Sequence, residues 1–163
     1  MSPQKKNDNL QAAKTVVYRL LNIRLRSEWE LNDYLQKKYF APKVIQDCLQ
    51  YFKNIELIDD HKFARLWINS RLKKPYGLNR IRLELFKKGI DPQIVEHETN
   101  LATLDQIPEI EIIRDLALKQ LKRYGQIEQQ KINQRLYGFL FRRGYQAQNI
   151  LKVINDIQNN KRN

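Results

Sequence analysis

The chain has 163 residues, with 30 Lys+Arg against 18 Asp+Glu and a formal net charge of +12. A mean hydropathy of −0.68, with no apolar run near the roughly 20 residues a spanning helix needs, excludes a helical membrane protein. One cysteine, Cys48, excludes an internal disulfide framework and an all-cysteine zinc site, while 42% hydrophobic residues suffice for a core.

Taken in chain order, the opening MSPQKKNDN is polar and has no apolar h-region, so residues 1–9 are expected to be a mobile tail without a secretory signal. Apolar residues then recur at i, i+3, i+4 and i+7, which predicts helices over 10–22, 27–38 and 42–53. Ser27 precedes Glu30 by three, a capping-box spacing, and Pro42 fits the first turn of the third helix. Asp59 and Asp60 open the next run, with helices expected over 60–72, 78–88 and 91–101. Gly89 follows Lys88 where a helix would close on a left-handed residue, and Asp91 with Pro92 begins the helix after it. The last three are expected over 108–124, 129–143 and 147–159, with Gly144 repeating the role of Gly89, and residues 160–163 as a second tail. Only 5 glycines and 5 prolines interrupt the chain, which favours helices over a turn-rich β architecture.

These helices repeat in threes. Leu31, Leu35 and Tyr39-Phe40 align with Ile81, Leu85 and Gly89-Ile90, and with Leu136, Leu140 and Gly144-Tyr145. The expected fold is all-α: three tandem three-helix, helix-turn-helix-like modules over 10–58, 59–107 and 108–159, in an elongated, curved array with shared apolar surface. Tyr39 stands where the other two units have glycine, so its turn must differ or carry strain.

Little in the chain suggests catalysis. There is no GxxxxGK[ST] and no GxGxxG, His61 sits beside Asp59 and Asp60 at a helix start, and Cys48 shares an apolar face with Val44 and Ile45. Glu109 and Glu111 read as N-terminal helix charges. Neither enzyme activity nor a cofactor or metal is expected.

The charge is uneven. Between Arg65 and Lys88 eight cations face one acid, Glu84; between Lys119 and Arg143 seven face one acid, Glu128. Clustered cations predict contact with phosphates or another polyanion. The candidates are Arg71, Lys73, Lys74, Arg80, Arg82, Lys87, Lys88, Lys122, Arg123, Arg135, Arg142 and Arg143, with Tyr76 and Tyr124 placed among them as stacking groups.

The order Leu57-Ile58-Asp59-Asp60, Phe63-Ala64, Trp67-Ile68, Arg71, Gly77, Arg80-Ile81, Glu84-Leu85 and Lys88-Gly89-Ile90, with Arg26-Ser27-Glu28-Trp29-Glu30-Leu31 before it and Phe139-Leu140, Arg143-Gly144-Tyr145 after it, resembles the RecX family. The departure is Tyr39. The resemblance implies a cytoplasmic, non-enzymatic regulator of DNA repair, recombination and the SOS response. Such a protein binds RecA recombinase filaments on single-stranded DNA, mainly inhibiting ATP hydrolysis, strand exchange and co-protease activity. Weak binding to duplex DNA is a lesser expectation. The alternatives are a helix-turn-helix protein reading duplex DNA and a helical protein–protein scaffold whose charge serves solubility.

Overall fold

The computed structural model describes residues 8–103, 108–125 and 127–160. Among them are nine α-helices and no strand: α1 Leu10–Ile23, α2 Glu28–Lys37, α3 Pro42–Asn54, α4 Asp60–Leu72, α5 Leu78–Phe86, α6 Pro92–Thr103, α7 Glu109–Leu121, α8 Gln129–Arg142 and α9 Ala147–Asn159. Most of both expected tails, and the segment between α6 and α7, lie outside the described residues.

The residues divide into two compact units, one comprising the chain up to Leu66 with Leu85–Val95, the other Trp67–Glu84 with Glu96 onward. In the first, α1, α2 and α3 close on Val17, Leu31, Leu35, Ile45, Cys48 and Phe52. Tyr18 meets Phe52 edge-on at 4.7 Å, and the Lys14 ammonium sits 3.3 Å from the Tyr51 ring centroid. Asn9 caps α1 by accepting the Ala12 N–H, and Ser27 with Glu30 forms a complete capping box on α2. In the second unit, α7, α8 and α9 close on Ile113, Ala117, Leu136, Leu140, Tyr145, Ile150 and Val153. Asn149 donates to Glu109 at 2.7 Å, tying α9 to the first turn of α7.

Two helices stop short of their expected ends. The α5 helix ends at Phe86 because its closing bonds run from Gly89 and Ile90 back to Phe86 and Leu85. The α7 helix ends at Leu121, where Arg123 and Tyr124 bond three residues back and tighten the last turn.

The three turns after α2, α5 and α8 share one geometry. The N–H groups of Phe40, Ile90 and Tyr145 reach the carbonyls of Leu35, Leu85 and Leu140, and the preceding residues Tyr39, Gly89 and Gly144 are left-handed, at φ 61, 71 and 88. What differs is what lies on them. In the first unit, the Ser27 hydroxyl donates to the Lys88 carbonyl at 2.6 Å, and a Cβ on Gly89 would lie 2.2 Å from Trp29 Cγ. In the second, the Gly77 N–H donates to the Arg143 carbonyl at 2.8 Å, and a Cβ on Gly144 would lie 2.3 Å from the Arg80 nitrogen. Ser27 and Gly77 hold the same repeat position, four before Leu31 and Ile81. One hydroxyl and one amide therefore make the same joint. Tyr39 carries a side chain at the equivalent position and is 55% exposed.

Candidate nucleic-acid and filament interface

The twelve candidate cations separate into those held by the fold and those left at the surface. Glu84 on α5 accepts from Arg71 Nε at 2.6 Å, Trp67 Nε1 at 3.0 Å and Arg80 Nε at 3.3 Å, binding α5 to α4. The Arg71 guanidinium also covers the Trp67 ring at 4.5 Å, and that of Arg80 covers Tyr76 at 4.1 Å. Burial pushes the Glu84 carboxyl up, but its three donors outweigh that and hold it below its ordinary range. Arg82 pairs with Glu96 at 3.3 Å, and Arg143 donates to the Pro75 carbonyl at 3.2 Å while covering Phe139.

Lys88 belongs to the first unit and reaches Glu30 at 3.0 Å, beside the Arg24–Glu30 pair at 2.9 Å. Burial alone would raise the Glu30 carboxyl; the bonds from Arg24 and Lys88 reverse this and bring it to about 2. Lys87 lies exposed beside it.

The remaining candidates are exposed. Lys73 and Lys74 follow α4, Lys122 and Arg123 follow α7, Arg135 lies on α8, and Arg142 is its last residue. The bonds from Gly77 to Arg143 and from Arg143 to Pro75 bring the Lys73–Lys74 turn against the Arg142–Arg143 turn. Exposed cations some 70 residues apart in sequence thus lie on neighbouring turns of the second unit. Both turns carry exposed cations and are hydrogen-bonded to each other. Tyr76 and Tyr124 do not serve as open stacking groups there, since Tyr76 lies under Arg80 and Tyr124 packs against the α7–α9 core. An exposed Phe141 stacked on Tyr137 was missed by the sequence reading; a helical-wheel count along α8 would have found it.

The other groups of chemical interest are structural. Cys48 is fully buried, and burial pushes its thiol up to about 11, far from a nucleophile's range. A hollow of about 1020 Å³ in the first unit is lined by Glu28, Glu56, Asp59, Asp60 and Asp91, with Lys53 and His61. Asp60 accepts from the Glu28 N–H, Asp59 from Lys62 and Asp91 from Gln93, so three of these acids cap helix starts. Its charge repels phosphate. Among the described residues no helix is long and apolar enough to cross a membrane.

The comparisons with known proteins agree with this architecture. Family models for the first, second and third three-helix domains of RecX match residues 13–52, 59–97 and 108–154. A regulatory protein RecX from Mycolicibacterium smegmatis is 36% identical over 140 residues, 83% of this chain and 73% of the relative. One from Amycolatopsis mediterranei is 32% identical over 140 residues, 85% of this chain and 78% of the relative. The crystal structure of RecX from Lactobacillus salivarius superposes with a TM-score of 0.79 at 23% identity, covering 91% of this chain and 96% of that one, which speaks to the fold. With all three domain models matched in order, and relatives above 30% identity along most of its length, the chain belongs to the RecX family of regulatory proteins.

Proposed function

We propose that this chain is a cytoplasmic, non-enzymatic regulator of the RecA recombinase, binding RecA filaments on single-stranded DNA and mainly inhibiting ATP hydrolysis, strand exchange and co-protease activity. The working division is one three-helix module each in residues 10–58, 59–107 and 108–159. The observation that supports the reading is the set of exposed cations Lys73, Lys74, Arg135 and Arg142 on the second unit of a RecX-family chain. Modules that each add a weak contact gain avidity on a repetitive target such as a filament, without any single strong site. Contacts to DNA phosphates make the binding salt-dependent. Titrating the protein into RecA on single-stranded DNA should lower ATP hydrolysis; unchanged hydrolysis at stoichiometric protein overturns the reading.

The duplex-reading alternative has less support. A recognition helix needs exposed cations or amides along one face. The α6 helix carries no Lys or Arg, on α3 Lys43 and Lys53 are taken up by Asp47 and Glu28, and α9 offers one cation, Lys152, beside the amides Gln148 and Asn155.

A further inference from the structure

In the first unit, α2 and α3 enclose a hollow of about 700 Å³ whose walls are side-chain amides. Asn32 and Gln36 line it from α2, and Gln46 and Gln50 from α3, each pair one helical turn apart. The floor is Phe40, Ile45 and Leu49, none more than 7% exposed. The charged residues at the hollow, Glu28 and Lys53, pair with each other at 2.8 Å. In a chain of net charge +12, this lining is therefore neutral. Tyr39, on the turn between the two helices, lines it as well. It is 55% exposed and holds the left-handed conformation, φ 61, that the other two repeats give to glycine. Backbone strain retained beside a cleft points to a use there.

We propose that this groove binds an extended, uncharged segment of a partner protein, holding its main chain between the two rows of amides, with Tyr39 closing one end. The spacings match. Four residues of helix rise about 6 Å and two residues of strand about 6.6 Å, so amides at i and i+4 meet peptide groups that face the same way. Each amide offers both a donor and an acceptor, as a peptide group does. Gln36 donates to Asn32 at 3.1 Å, a bond that an incoming peptide group can replace in kind. From Glu28 to Gln36 the helix rises about 12 Å, the length of about four extended residues. A neutral lining does not attract phosphate. A docked helix needs an exposed apolar stripe, and the floor here is nearly closed. The terminal sequences of this chain, MSPQKKNDN and KRN, carry Lys and Arg and suit a neutral groove poorly.

The experiment selects a phage-displayed library of random dodecapeptides on the full-length protein, with no RecA and no DNA present, so its outcome is independent of the filament reading. The expected winners are uncharged and alternate apolar with polar residues. An end-blocked, fluorescein-labelled winner is then measured by anisotropy. Gln46→Ala with Gln50→Ala keeps good helix formers at exposed positions and should weaken its binding about tenfold. Tyr39→Gly should weaken it severalfold while thermal unfolding stays at or above wild type, which separates a binding role from a structural one. N-methylation of alternate peptide nitrogens should abolish binding in one register and spare it in the other. Affinity should change little between low and moderate salt. No enrichment, winners indifferent to both variants, or acidic winners whose binding falls with salt, overturn the site. Winners with apolar residues at helical spacing, or self-association lost in the same variants, give the groove to a helix or a second copy and overturn the extended segment.

Discussion

The turn at Tyr39 and the turn at Gly144 have the same hydrogen bonds and the same left-handed backbone, yet one holds a tyrosine and the other a glycine. The backbone alone does not decide the residue. A left-handed non-glycine costs roughly 1–2 kcal/mol, which a fold can absorb. A Cβ at Gly144 would strike the Arg80 backbone nitrogen at 2.3 Å, which the joint cannot absorb without moving. Glycine is thus required where another segment is seated on the turn and dispensable where the turn faces water.

The largest effect that would break this contrast is at Gly144. Gly144→Ala combines backbone strain with a clash against main chain and should cost about 2–5 kcal/mol in urea unfolding. Gly89→Ala should cost less, since there the Cβ meets the Trp29 side chain, which is half-exposed and can tilt away. Equal and negligible losses at both would show that the seated segments do not govern the choice.

The acids at the joints come next. Glu30 is held at about 2 by Arg24 and Lys88, below the ordinary carboxylate value, so its contribution is full above about pH 4.5 and is lost as pH falls toward 2. Discounted for solvent screening, Glu30→Gln should cost roughly 1–2 kcal/mol at pH 7 and flatten the acid limb of the stability curve between pH 4.5 and 2. An acid limb identical to wild type would show that Glu30 carries no differential charge energy.

The smallest effect is at Tyr39. Tyr39→Gly relieves left-handed strain but frees the unfolded chain, leaving a net gain of about 0.5–1 kcal/mol. A loss of stability would mean that the tyrosine side chain contributes packing that its exposure does not suggest.

The helices were legible because helical spacing, Ser27, Pro42 and Gly89 all signal locally. The joint was not: Gly144 announces a left-handed residue, but nothing near it in sequence says that Arg80 sits on it. The cations show the same limit. Lys73 and Arg80 look alike in sequence, and only the position of Glu84 shows that Arg80 and Arg71 build the fold while Lys73 is left exposed. Arg82 and Lys88, paired with Glu96 and Glu30, were likewise indistinguishable from Lys74. The aromatic candidates failed for a similar reason: Tyr76 is next to cations in sequence and is covered by one in space, while Phe141 is exposed.

The most direct measurement compares wild type with the combined variant Lys73→Ala, Lys74→Ala, Arg135→Ala and Arg142→Ala. Affinity for RecA filaments on single-stranded DNA and thermal unfolding are read on the same samples. If surface cations bind while joint cations build, affinity falls more than about tenfold and the melting temperature stays within a few degrees, since exposed charges contribute little to stability. Unchanged affinity, or affinity lost in step with the fold, contradicts that division.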